Sequence, residues 1–242
     1  MADYIFTGKS IFFPKQKILA VGDLHLGYEH MMQQYGINLP ETQIKEIVEN
    51  LKEIFSQIKN KGYEIKKIVF LGDIKHFFGY EHQERKSFDD VLEFLKSYFD
   101  EKDIILIKGN HDAVQYSGKK MKDYYISDGI AFLHGHKNFL PVYDEKIKTM
   151  VIGHLHPSVI ISDKANIKRE KFKCFLVGKM KGKKLLVLPS FFEIVEGMSV
   201  NDYEEVYHDF ISIVPKSALM HSEMFVIGKD KTYDFGKVGD LN

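Results

Sequence analysis

The sequence predicts an α/β protein: one layered domain whose carboxyl-terminal half adds a second sheet. Three observations predict it. Short apolar runs bounded by glycine recur between residues 18 and 152, helical patterns join the early ones, and beyond His156 the pattern changes to strand hairpins. In chain order, Ile18–Val21 reads as a buried strand running into Gly22-Asp23-Leu24-His25. After Pro40, Ile44, Ile47, Val48, Leu51, Ile54, Phe55 and Ile58 keep a helical period over about five turns. Ile68–Leu71 is the next strand and ends in Gly72-Asp73-Ile74-Lys75-His76. Ser87, with Asp90 three residues on, predicts the cap of a helix whose stripe is Phe88, Val91, Leu92, Leu95 and Phe99. Ile104–Ile107 leads to Gly109-Asn110-His111-Asp112, Ala131–Leu133 to His134-Gly135-His136, and Thr149–Ile152 to Gly153-His154-Leu155-His156. Residues 157–161, 172–177 and 185–188 read as hairpin strands with turns at Gly178 and Gly182, and 210–214 and 223–227 as final strands. Residues 193–209 are acidic and poorly periodic and receive no assignment. The expected organisation is a single domain over 1–242, with a motif-bearing part at 18–157 and second-sheet hairpins at 158–242.

Composition narrows the function classes. With 242 residues and 44% hydrophobic content, the chain can bury a core without disulfides or a partner. Its one cysteine, Cys174, excludes a disulfide framework and a thiolate metal cluster and fits a reducing compartment. Cys174 lies in an apolar strand run and reads as a buried structural thiol. Asp3 and Thr7 stand where a signal peptide would be cationic and then apolar, and no run nears the ~18 apolar residues of a membrane span. The expectation is a cytoplasmic protein with no membrane partner. Lys plus Arg and Asp plus Glu both number 34, so the whole-molecule basic field of a dedicated nucleic-acid binder is missing. Locally, nine Lys/Arg from Lys164 to Lys184 face one acid, Glu170. Two readings stand: a solvated hairpin whose lysines discourage edge pairing, or a phosphate-backbone contact through Lys179, Lys181, Lys183 and Lys184.

Ligands in open α/β sheets sit outside the carboxyl ends of the strands. Five such ends carrying Asp, Asn and His describe one pole built to hold cations. Asp23 and His25 are alternate residues and project to one side. Carboxylate, imidazole and amide oxygens together suit Mn, Fe, Co or Zn better than calcium. At least seven candidate ligands on five loops are too many for one ion and fit two ions sharing a bridging carboxylate. Seven of the eleven histidines (25, 76, 111, 134, 136, 154 and 156) fall just after these strands.

The series Asp23-x-His25, Gly72-Asp73-x-x-His76, Gly109-Asn110-His111-Asp112, His134-Gly135-His136 and Gly153-His154-x-His156 resembles the calcineurin-like metallophosphoesterase superfamily, over the first two thirds of the chain. His76, where most phosphatases of the superfamily carry Asp, and Gly-His-Leu-His-Pro resemble the compact SbcD-related phosphoesterases of archaea and of bacterial DNA-ligase clusters. The chain is too short for the DNA-contacting regions of true SbcD nucleases. The resemblance implies an α-β-β-α sandwich of two mixed sheets flanked by helices, with a dinuclear centre at the strand carboxyl ends. It places Asp23, His25, Asp73 and His156 around one ion and Asp73, Asn110, His134 and His154 around the other. Either imidazole of His-Gly-His could face the metal; His134, directly after the strand, is preferred, which leaves His136 as a substrate contact. Manganese is the expected ion, with iron, nickel, zinc and cobalt compatible.

The expected activity is hydrolysis of phosphate esters, foremost diesters, in DNA or nucleotide metabolism. His111 would serve the leaving oxygen, with Asp112 orienting its imidazole, and His76 would contact the phosphate or assist the leaving group. A phosphomonoesterase and a non-catalytic scaffold on the same fold are the alternatives; the scaffold would be signalled by lost ligands, and none is lost.

Overall fold

A computed structural model of the chain describes residues 2–76, 82–112, 120–163, 168–202 and 212–241. The apolar runs form two sheets. The first holds β1 (Ile5–Thr7), β2 (Ser10–Phe13), β3 (Ile18–Val21), β4 (Lys67–Phe70) and β5 (Ile104–Leu106) in sequence order. β1, β2 and β3 are antiparallel, whereas β3, β4 and β5 are parallel, so their carboxyl ends point to one pole. The parallel crossovers carry α1 (Tyr28–Gln34), α2 (Gln43–Asn60) and α3 (His82–Lys96).

The second sheet is built from β6 (Tyr124–Ser127), β7 (Ile130–Leu133), β8 (Thr149–Ile152), β9 (Pro157–Ser162), β10 (Arg169–Met180), β11 (Lys183–Val187), β12 (Met198–Ser199), β13 (Glu223–Ile227) and β14 (Thr232–Lys237). Its order is β12-β9-β10-β11-β8-β7-β6, with β13 on β10 and β14 on β13. The twelve-residue β10 takes part in three ladders, pairing β9 through 169–173, β13 through 174–177 and β11 through 176–180. Both sheets are mixed, as expected.

Strand alternation explains the layers. Ile18 and Ala20 face the second sheet, where they join Val69, Leu71, Phe132, Val151, Phe175 and Leu186 between the sheets. Leu19 and Val21 face outward against Ile47, Leu51, Ile54 and Leu95 of α2 and α3. Ala131, Leu133, Met150 and Ile152 line the outer face of the second sheet, where the five-residue α4 (Lys216–Met220) packs through Ala218 and Leu219. Each large apolar side chain buried this way contributes about 1.5–3 kcal/mol. Among the described residues the helical cover of this sheet is thin, and that of the first is thick.

Several local expectations shift. α3 begins at His82 rather than after Ser87, so Ser87 and Asp90 lie inside the helix. Of the strand expected at 210–214, residues 210–211 lie outside the described residues. Ser212–Val214 are not in a strand; instead Ile213 N donates to Gly135 O at 2.9 Å. Cys174 is fully buried, and burial pushes its thiol well up, which leaves it inert as a nucleophile. No helix among the described residues is long and apolar enough to cross a membrane.

Candidate metal centre

Five loops leave the carboxyl ends of β3, β4, β5, β7 and β8 and meet at one pole. Backbone hydrogen bonds lock them together. Leu24 N and His25 N both donate to Asp73 O (3.2 and 2.9 Å), Leu26 N donates to Ile74 O, and Gly153 N donates to His134 O. Among the described residues His25, Asp73, His154 and His156 adopt left-handed φ of 47°, 42°, 64° and 42°. Such a conformation costs a non-glycine residue about 1–2 kcal/mol, and residues held there cluster at functional sites. Glycines make room for the carboxylates. A Cβ on Gly109 would lie 2.1 Å from Asp73 Oδ1, and one on Gly153 2.6 Å from Asp23 Oδ2.

Two groups of side chains face one another. His25, Asp73 and His156 each offer an atom within 4.8 Å of the others, and so do Asp73, His134 and His154. Asp73 belongs to both. Asp23 lies across them: its Oδ2 is 3.1 Å from His156 Nε2 and accepts from His154 N at 3.0 Å. Asn110 Oδ1 is 2.9 Å and Asp73 Oδ2 3.3 Å from His134 Nε2. His134 Nδ1 donates to Leu71 O at 2.9 Å, which turns Nε2 toward the other candidate ligands.

These donors fit divalent cations. The Nε2 atoms of His25 and His156 face each other at 3.3 Å. Asp23 Oδ1 is buried and 3.0 Å from His134 Nδ1, whose hydrogen is directed at Leu71 O, so no well-formed hydrogen bond reaches it. A buried carboxylate oxygen is costly without compensation; the neighbouring imidazolium or a bound cation supplies it.

Charge tells the same story. Burial, and then His156, push His25 down to about 3, so it stays a neutral donor. Burial opposes a charge on His134, but Asp23 and Asp73 overcome it and raise the imidazole to about 10. Despite burial, His134 holds Asp73 at about 2. In the metal-free protein His134 is therefore cationic at neutral pH, held by two carboxylates. A ligand must shed its proton before it binds an ion. Mn2+ uptake should therefore release about one proton and tighten about tenfold per pH unit up to pH ~10. Calorimetry in buffers of different ionisation enthalpy reads this directly. Uptake without proton release would mean that the His134 imidazole is already neutral before the ion arrives.

Around this centre, His111 donates its backbone N–H to Asp73 Oδ1 at 2.9 Å and its Nδ1–H to His76 O at 2.7 Å. Its Nε2 is 4.0 Å from Asp73 Oδ2. The His76 ring stacks on His111 with centroids 5.6 Å apart, and its Nδ1 is 3.4 Å from His25 Nδ1. Burial, and then His111, push His76 down to about 4. His136 flanks the centre, its ring 5.1 Å from that of His134 and outside both ligand groups.

Two expectations require correction. Asp112 does not orient the His111 imidazole. Its fully buried carboxylate accepts from Gly109 N, Lys75 N and Ile74 N at 2.9, 3.1 and 3.3 Å, bracing the second motif loop against the third. Three converging amides hold a carboxylate in place, and the His76 carbonyl takes the orienting role instead. The lysine hairpin also lies far from the centre. Lys184 pairs with Thr149 at the start of β8, whereas His154 follows its far end, about 16 Å away at strand spacing. Lys183 Nζ donates to Asp144 O and Ile147 O, Lys184 is 3.8 Å from Asp3, and Lys181 sits over the Tyr143 ring. Lys179, at the same turn, is exposed. This is a partly structural hairpin at the opposite pole.

Three supporting residues escaped the sequence reading. Gln43 donates to His25 O at 2.8 Å and accepts from Gly27 N at 3.0 Å, tying down the loop that bears His25. Glu29 accepts from Thr42 N and Gln43 N and so caps α2, while Glu84 accepts from His76 N at 2.7 Å. A signal for Gln43 was present: positions 43, 47, 51, 54 and 58 share one helical face, and Gln43 is its polar member.

The family model described as calcineurin-like phosphoesterase matches residues 16–209, which include all five loops. The chain belongs to this family. The phosphoesterase fold is shared with a nuclease, MPE, from Pseudomonas putida, at 19% identity and a TM-score of 0.60, covering 94% of this chain and 92% of that one. A vacuolar protein sorting 29 protein from Cryptosporidium parvum is 15% identical, with 91% and 97% of the chains covered and a TM-score of 0.40. No curated protein matches the phosphoesterase sequence.

Proposed function

We propose that this phosphoesterase hydrolyses phosphodiesters with two divalent ions, in DNA or nucleotide metabolism of the cytoplasm, and that it is an SbcD-related member of its family. The observation that carries the reading is Asp73, one carboxylate common to two groups of ligand-capable side chains. Asp23, His25, Asp73 and His156 would hold one ion, and Asp73, Asn110, His134 and His154 the other; manganese fits the mixed carboxylate, amide and imidazole set. A bound pair supplies charge neutralisation at the phosphoryl oxygens and activation of a water for in-line attack.

The remaining chemistry belongs to the chain. His111 keeps Nδ1–H on the His76 carbonyl, which directs Nε2 to the substrate side. Protonated there, it donates to the departing oxygen and is reprotonated from solvent. His76, neutral and stacked on His111, forms the wall against which the leaving group sits. His136 can contact the phosphoryl group from the other side of His134. The lysine hairpin has no part in a small-substrate reaction. Nucleic acid as the diester is in keeping with a fold neighbour of similar length that is named a nuclease.

The test is hydrolysis of bis(p-nitrophenyl) phosphate and of p-nitrophenyl phosphate by metal-stripped protein reloaded with Mn2+. Metal-dependent turnover of the diester is expected, and it should vanish with chelator. Turnover of the monoester alone would replace the diesterase reading with a phosphomonoesterase. No turnover by protein that takes up no metal would replace both with a scaffold.

A further inference from the structure

Lys173 occupies a strand position among buried neighbours: Cys174, Phe175 and Leu176, which follow it in β10, are fully buried. Its ammonium is turned onto the chain, donating to Ser190 O at 3.0 Å and to Phe192 O. Burial is expensive for an ammonium; together with the neighbouring Lys9 it pushes Lys173 down to about 7. Packing alone would be served better by Met or Leu. The lysine instead supplies a donor to two carbonyls of one short segment, the second of which otherwise has, among the described residues, only Ser190 Oγ at 3.4 Å.

That segment, residues 189–192, follows β11 and runs beneath the first ligand loop. Phe191 N donates to Asp23 O at 2.9 Å, and Ser190 Oγ donates to the same carbonyl at 3.3 Å. Pro189 O lies so close that a Cβ on Gly22 would meet it at 2.2 Å. Its amino-terminal anchor is the bond from Leu188 N to Ile152 O. Residues 189–192 are in no strand, so no ladder fixes them. Lys173 grips the segment on the side away from Asp23.

We propose that Lys173 is a positioning residue of the metal centre: by clamping the carbonyls of Ser190 and Phe192, it fixes the backbone of Asp23 and with it the Asp23 carboxylate. The inference rests on Asp23 being a metal ligand, and it extends that reading to a side chain that touches neither ion nor substrate. Groups hydrogen-bonded directly to a metal ligand change metal affinity about 10–100-fold when removed; Lys173 acts one contact further out, so the low end of that range sets the expected loss.

The experiment measures Mn2+ binding to metal-stripped protein by calorimetry, without substrate, alongside thermal unfolding. Lys173→Met should weaken binding about tenfold. Lys173→Gln, which keeps one donor, should fall between Lys173→Met and wild type. Lys179→Met, which removes an exposed ammonium from the far end of the same strand, should bind as wild type does. Lys173→Met affinity within about twofold of wild type would overturn the inference, because loss of stability alone leaves the affinity of folded protein unchanged. Equal weakening in Lys179→Met would overturn it too, by showing a general charge effect. Should Lys173→Met not fold, Lys173→Gln decides by the same twofold criterion. Wild-type protein that takes up no Mn2+ would overturn the metal-centre reading and this inference together; uptake that is indifferent to Lys173 would overturn this inference alone.

Discussion

Asp73→Asn should reduce diester hydrolysis at least about 10³-fold and leave the chain short of at least one ion. Removing a single donor to developing charge costs about 10²–10³, and Asp73 serves both ligand groups. The substitution is nearly isosteric. Asn keeps an oxygen for His111 N and fits against Gly109, where no larger neighbour is tolerated. The fold should therefore survive, and the loss should be chemical. Metal analysis of dialysed protein and kcat at saturating Mn2+ read the two effects separately. Wild-type ion content with wild-type turnover would remove Asp73 from its bridging place. A bridging carboxylate also differs from a peripheral one in rescue: excess Mn2+ should restore little activity to Asp73→Asn.

His111→Ala should retain both ions and lose about 10²–10⁴ in kcat, the usual worth of a positioned acid or base. The contact of His111 with Asp73 runs through the backbone N–H, which alanine preserves, so the metal ligands stay put. The lost group is Nε2. Its loss should matter less for p-nitrophenolate, which departs without a proton, than for an alkoxide, which needs one. A deficit equal for both leaving groups would mean that His111 binds substrate and does not protonate the leaving oxygen. Unchanged turnover would deny it either role.

The centre was legible because its grammar is local. An apolar run, a glycine and a polar ligand residue occur together after β3, β4, β5, β7 and β8, and the structure gathers those five loops at one pole. His134, directly after its strand, lies beside Asp73 and His154, and His136, two residues on, flanks them. Contacts across the fold were not legible. Asp112 follows His111 and so read as its partner, but its carboxylate is drawn to three amides from two loops. Ser87 and Asp90 have capping-box spacing, yet the helix was already under way at His82. The lysine run looked uniform in sequence. In space Lys183 satisfies turn carbonyls and Lys173 clamps another segment, while Lys179 is exposed. β1, β2 and α1 are too short for periodicity to declare them.

The left-handed backbone at His25, Asp73, His154 and His156 also restricts how this centre can change. Side chains other than glycine are uncommon in that conformation, and those enriched there are Asn, Asp and His. Those are the oxygen and imidazole donors already in use. Exchange among them is cheap in main-chain terms: a His-to-Asn step asks for no new backbone conformation. A β-branched residue, by contrast, would break the turn that aims it. Mutational drift at these four positions is thus channelled toward other borderline-hard donor sets, so the main chain guards the chemical identity of the site even while individual ligands vary.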